Sequence, residues 1–78
     1  MKAVIAVAIR TAVREQVVDA YKAWKNQYIT TEEFSTWMYD IQVTSLAIVY
    51  SMARLGVLDE DDEARLETFV RSLTETYF

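Results

Sequence analysis

The chain has 78 residues, of which 53% are hydrophobic and 26% are charged, and its formal net charge is −4. This length and composition predict a single globular domain over residues 1–78 and exclude a disordered chain. The sequence contains no cysteine and no histidine, which excludes disulfides and the usual zinc ligand sets and removes the commonest general base of enzymes. We therefore expect a protein that is not an enzyme and holds neither a metal nor another cofactor. A cysteine-free chain also fits a reducing compartment, so a cytoplasmic location is expected.

The first predicted element is a helix over about residues 3–26. Apolar side chains recur through it at helical spacing, at Ile5, Ile9, Val13, Val17, Ala20 and Trp24. The apolar run at its start ends at Arg10, too early for a signal peptide and far short of the roughly 20 apolar residues of a membrane span, so no membrane partner is expected. Val4 and Val7 lie off the main stripe and are candidates for self-association. Arg10 and Arg14, one turn apart, repel each other unless something neutralises them.

A second helix is predicted over about residues 31–55. Thr30 and Glu33 have the spacing of a capping box, in which each side chain hydrogen-bonds to the backbone amide of the other residue. Gly56, the one glycine of the sequence, follows as the residue best able to adopt the left-handed conformation just beyond a helix end. Both boundaries of this helix thus rest on local chemistry.

The second helix contains a stretch without charge, residues 41–53, and is apolar on two faces. One stripe comprises Phe34, Met38, Ile41, Ser45, Ile48, Met52 and Leu55, and the other comprises Tyr39, Val43, Leu46, Tyr50 and Ala53. Because a surface helix needs only one apolar face, we expect this helix to be covered on both sides. The second face would lie against another helix or against a second copy of the chain. Its candidate self-association residues are Tyr39, Val43, Leu46 and Tyr50.

The third predicted helix covers about residues 60–76, with Asp59 as its N-cap. Acidic residues fill its first turn, where the helix dipole favours negative charge. Its apolar stripe covers one face only, which is typical of an outer helix, and comprises Leu66, Phe69, Val70, Leu73 and Tyr77. Asp61–Arg65 and Glu67–Arg71 have the i,i+4 spacing and orientation of favourable ion pairs.

Three helices with short connections predict an all-α, three-helix antiparallel bundle with the second helix in the middle. The surplus of apolar surface on that helix further predicts a homodimer. Core positions are expected for four aromatic residues, namely Trp24, Phe34, Trp37 and Phe69.

The acidic run that starts at Asp59 does not match a calcium-binding loop. Such a loop needs glycine at its sixth position and glutamate at its twelfth, where this chain has Ala64 and Val70. Direct nucleic-acid binding is not expected either, because phosphate binding needs a concentrated basic surface and the net charge here is negative.

Protein binding is the function that these exclusions favour. The chain is basic in its first third and acidic in its last, which indicates head-to-tail charge complementarity, either within a molecule or between molecules. One hypothesis is a small acidic inhibitor that occludes a basic surface of a partner protein, for example a nucleic-acid-binding one, through Asp59, Glu60, Asp61, Asp62, Glu63 and Glu67. Such a chain is similar in type to phage-encoded inhibitors, including anti-CRISPR proteins, although no motif identifies a family. The alternative is a structural helical homodimer whose self-association is the functional unit.

Overall fold

The computed structural model describes residues 2–76, and side chains from Val4 onward. It contains three helices, α1 (Lys2–Lys25), α2 (Thr31–Arg54) and α3 (Glu60–Glu75). The all-α prediction is confirmed, and each predicted helix boundary lies within one residue of the observed one. Tyr77, which the sequence pattern assigned to the stripe of the third helix, lies outside the described residues.

The helices run up, down and up, and each contacts the other two. The Trp24 ring stacks on Phe34 at one end of the α1–α2 pair, with ring centroids 4.6 Å apart. Further along, Ile9 and Ile48 line the same crevice, so α1 and α2 are antiparallel. Hydrogen bonds from Gln42 to Thr74 and from Tyr50 to Glu67 show that α2 and α3 are antiparallel as well. The start of α1, the end of α2 and the start of α3 therefore share one end of the bundle.

The core consists of two clusters of buried side chains. The larger cluster contains Val13, Val17, Ala20, Phe34, Met38, Ile41, Leu46 and Val70. The smaller one contains Val49, Leu58 and Leu66, close to the start of α3. Ile9 and Tyr50 pack against both clusters and join them.

Both ends of α2 are formed by the residues that the sequence predicted. The Thr30 hydroxyl accepts a hydrogen bond from the Glu33 amide at 3.0 Å, and the Glu33 carboxylate accepts one from the Thr30 amide at 2.8 Å, which confirms the capping box. Gly56 adopts a left-handed conformation with a φ of 78°. The Val57 amide then donates to the carbonyl of Met52 at 2.9 Å, so α2 closes with the hydrogen bond typical of a glycine-ended helix.

The buried side of α2 is one broad face, because α1 and α3 contact each other as well as α2 and so lie together on one side of it. This face comprises Phe34, Met38, Ile41, Gln42, Ser45, Leu46 and Val49. The outer edges of both predicted stripes stay exposed, including Val43 on one edge and Ile48 on the other. The expectation that both faces are covered is thus not met within a single chain.

The aromatic residues expected in the core divide into three groups. Phe34 is buried, whereas Trp24 and Phe69 are half-buried and pack against the larger cluster. The core prediction for Trp37 is wrong, because its side chain is 37% exposed. Phe34 and Met38, its neighbours on the helix surface, hold the core positions instead.

Among the described residues, no helix combines the length and the hydropathy that crossing a membrane requires.

Candidate partner-binding site

The first turn of α3 presents carboxylates that no cation of the described chain neutralises. Asp59 caps the helix by accepting a hydrogen bond from the Asp62 amide at 2.8 Å. Glu60 and Asp61 are exposed, and Asp62 and Glu63 are half-buried. Among residues 2–76 the ion pairs involve Arg71, and the predicted pair between Asp61 and Arg65 does not form. These five acids therefore concentrate negative charge at one end of the bundle.

Glu67 differs from the other acids because it takes part in the contact between α2 and α3. Its carboxylate accepts a hydrogen bond of 2.6 Å from the Tyr50 hydroxyl. It also pairs with Arg71 at 3.6 Å, as the sequence spacing predicted. Arg71 in turn lies 3.6 Å from Glu75. The charge of Glu67 is thus partly satisfied within the chain, and the acidic segment open to a partner is Asp59–Glu63.

The hydrogen bond to Glu67 raises the pKa of Tyr50, and partial burial of the phenol raises it further. Because the pKa in the folded state is the higher one, the stabilising contribution of this bond is complete below about pH 10, the value for an unfolded tyrosine. It is lost as the pH rises through the folded-state pKa. The phenol also raises the pKa of Arg71, mainly through a hydrogen bond.

The variant Glu67→Gln is expected to lower the pKa of Tyr50 towards about 10, because it removes the carboxylate that favours the protonated phenol. An NMR titration of the tyrosine Cζ signals measures this shift directly. Glu60→Gln, which changes an exposed acid of the same helix, serves as the matched control and should leave the Tyr50 titration as it is. An unchanged titration in Glu67→Gln would contradict the contact between α2 and α3.

Exposed aliphatic side chains lie at the same end of the bundle as the acidic segment. Val4 is 69% exposed, Val7 60% and Leu55 75%. The sequence pattern had assigned Leu55 to a covered stripe, and this assignment is wrong because Leu55 lies beyond the last core turn of α2. We call the surface formed by Val4, Val7, Leu55 and Asp59–Glu63 the acidic–apolar end.

The four self-association candidates on α2 differ in how much of each side chain is exposed to solvent. Tyr39 is 59% exposed and Val43 is 48% exposed, one turn apart on the same side of the helix. Leu46 is buried in the larger core cluster of its own chain. Tyr50 is half-buried and bonded to Glu67. Of this set, Tyr39 and Val43 therefore offer the surface to a second copy.

Within the described range, no three acidic side chains converge in a way that could hold a metal ion. No family model matches the chain, and neither a curated protein nor a solved structure is significantly similar to it. Fold and surface define the chain as a small three-helix bundle with an acidic–apolar end.

Proposed function

We propose that this protein is a non-catalytic binding protein whose acidic–apolar end occludes a basic surface of a partner protein. The observation that supports this proposal most strongly is the placement of acids without a cationic partner, Glu60 and Asp61 foremost, at the same end of the bundle as the exposed side chains of Leu55, Val4 and Val7. Apolar patches rimmed by polar residues mark interaction sites. Charge of one sign next to such a patch selects a partner with the opposite charge.

The two components of this end contribute differently to binding. The carboxylates steer association and fix the orientation of the partner, and the aliphatic side chains lose contact with water when the complex forms. A basic groove that normally binds nucleic-acid phosphates has the complementary charge, and covering it would inhibit the partner without any chemical step.

The test is capture of a partner from an extract of the source organism, followed by a titration of the purified complex. The double variant Glu60→Gln/Asp61→Asn removes two exposed charges and leaves the Asp59 cap intact. We expect its affinity to fall by about tenfold and its salt dependence to flatten. The matched control Glu32→Gln/Asp40→Asn removes two exposed charges from the first half of α2, away from the acidic–apolar end, and should bind as the unmodified protein does.

Equal affinities for the two double variants, or binding that does not weaken with salt, would contradict the role of the acidic segment. The circular dichroism of both variants verifies that each is folded before the comparison is made.

A second candidate function is a structural homodimer, which the exposure of Tyr39 and Val43 on one side of α2 favours. Two neighbouring side chains that are 59% and 48% exposed are suited to an interface between identical helices. Sedimentation at micromolar concentration tests this function. A concentration-dependent dimer is the expected result of self-association, and a strict monomer would contradict it.

A further inference from the structure

Two depressions along the seam between α1 and α3 adjoin where Arg14 lies over the Phe69 ring, and together they form a groove with a cationic rim and an apolar floor. Its cations come from three turns of α1 and from one position of α3: Arg10, Arg14, Lys22 and Arg65. Its floor is formed mainly by Val18, Phe69 and Leu73. None of the described residues that line the groove is acidic. This arrangement is unexpected in a chain whose net charge is −4.

Two of the cations are fixed over a single aromatic ring. The guanidinium carbon of Arg10 lies 5.2 Å from the centroid of the Phe69 ring, and that of Arg14 lies 5.4 Å from it. Attraction to the ring offsets the repulsion between two arginines one turn apart. Among the described residues, the ion pairs of the chain involve Arg71 and none of these four cations. The guanidinium groups are therefore held in place and lack an anionic partner.

The segregation of charge is pronounced. The chain has eight lysines and arginines and twelve acids in total. Among the described residues, four of the cations line the groove and none of the acids does, so the rest of the chain carries four cations and all twelve acids. A ligand attracted to the groove must therefore carry its negative charge within the length of the groove, because an anion that extends further would also meet the acidic remainder of the surface.

We propose that this groove binds an amphipathic acidic helix of a partner protein. From Arg10 to Lys22 the groove runs for about 18 Å, at 1.5 Å per residue, which accommodates about three turns of helix. Aliphatic side chains of the ligand would cover Val18 and Leu73, and carboxylates on its flanks would pair with the guanidinium groups that lie over the Phe69 ring. An amphipathic helix in an apolar groove is a recurrent mode of peptide recognition. This surface is separate from the acidic–apolar end and has the opposite charge.

Two other occupants fit the groove less well. Single-stranded nucleic acid binds by stacking bases on open aromatic faces, but Arg10 and Arg14 already interact with the Phe69 ring. A second copy of the chain would offer its acidic–apolar end, where the aliphatic side chains and the acids come from the ends of three different helices, namely Val4, Val7, Leu55 and Asp59–Glu63. Such an end presents no apolar stripe flanked by acids along one helix, so it matches the shape of the groove less well.

The test uses a fluorescently labelled helical peptide with leucines along one face and glutamates on both sides of that face. Its binding is followed by anisotropy against the unmodified protein and two single variants. Arg14→Gln removes a rim cation, and Arg54→Gln removes an exposed arginine elsewhere with the same change in net charge. We expect binding in the micromolar range, weakened about tenfold by Arg14→Gln and unchanged by Arg54→Gln.

Three results would overturn the proposal. The first is no binding at concentrations up to about 100 µM. The second is equal binding by the two arginine variants. The third is binding of a single-stranded oligonucleotide, or of a scrambled peptide of the same composition, as tight as that of the amphipathic peptide, since either would indicate a general anion site. Glu60→Gln/Asp61→Asn should leave the peptide affinity intact, so a failure here is distinguishable from a failure of the acidic–apolar end.

Discussion

Replacing Leu66 by alanine is expected to lower the free energy of unfolding by about 2–5 kcal/mol. Leu66 is fully buried, and with Val49 and Leu58 it forms the smaller core cluster. This cluster holds the start of α3 against the rest of the bundle. Truncating the side chain removes its apolar contacts and leaves a cavity that three rigid helices cannot fill. Because a domain of this size has only a few kcal/mol of stability in reserve, much of the variant should be unfolded at 37 °C.

Leu55 provides a matched control for this substitution. Its side chain is 75% exposed, so Leu55→Ala should change the free energy of unfolding by no more than about 0.5 kcal/mol. Urea denaturation followed by circular dichroism measures both variants in the same way. Similar losses for Leu55→Ala and Leu66→Ala would contradict the core described above. The stable Leu55→Ala variant can also be tested for weakened binding to the partner of the acidic–apolar end.

Replacing Gln42 by alanine is expected to lower the free energy of unfolding by about 2–3 kcal/mol. Gln42 is buried on α2, where its side-chain amide donates to the Thr74 hydroxyl at 3.2 Å and to the Glu75 carboxylate at 3.1 Å. Each hydrogen bond contributes about 1 kcal/mol net, and the lost volume adds a cavity term. Thr74 itself keeps its bond of 2.7 Å to the carbonyl of Val70. The expected loss therefore comes from the bonds and packing of Gln42 itself.

Gln16→Ala is the matched control for the Gln42 substitution. Gln16 lies exposed on α1, and alanine has the higher helix propensity, so this variant should be as stable as the unmodified protein or slightly more stable. Urea denaturation measures the free energy of unfolding of both variants, and the comparison shows how much more the buried side chain of Gln42 contributes than the exposed one of Gln16. An equal effect of both substitutions would show that Gln42 does not connect α2 to α3.

The features that the sequence predicted well depend on neighbouring residues. The capping box of Thr30 and Glu33 and the glycine at position 56 each act within one turn of chain, so their spacing is sufficient to place both ends of α2. The acids after Asp59 mark the start of α3 for the same reason. The three-helix architecture follows from these boundaries and from the short connections between them.

The features that could not be predicted depend on which helix lies beside which. Spacing alone does not show that Trp37 and Leu55 point away from α1 and α3, or that Gln42 faces Thr74 across an interface. The contact of Arg10 and Arg14 with Phe69 joins residues more than fifty positions apart in the sequence. One local feature was not predicted either. Gln27, just after the end of α1, adopts a left-handed conformation with a φ of 63°, and the sequence gives no sign of this because the residue is not a glycine.

Hydrogen exchange of the protein in complex with its captured partner tests the central claim most directly. The first amides of α3 have no acceptor within the helix, so those of Glu60 and Asp61 should exchange quickly in the free protein. The corresponding amides of Thr31 and Glu32 begin α2 at the opposite end of the bundle and serve as an internal control. We expect the partner to slow exchange at Glu60 and Asp61 and to leave exchange at Thr31 and Glu32 unchanged. Protection confined to the start of α2 would contradict the central claim.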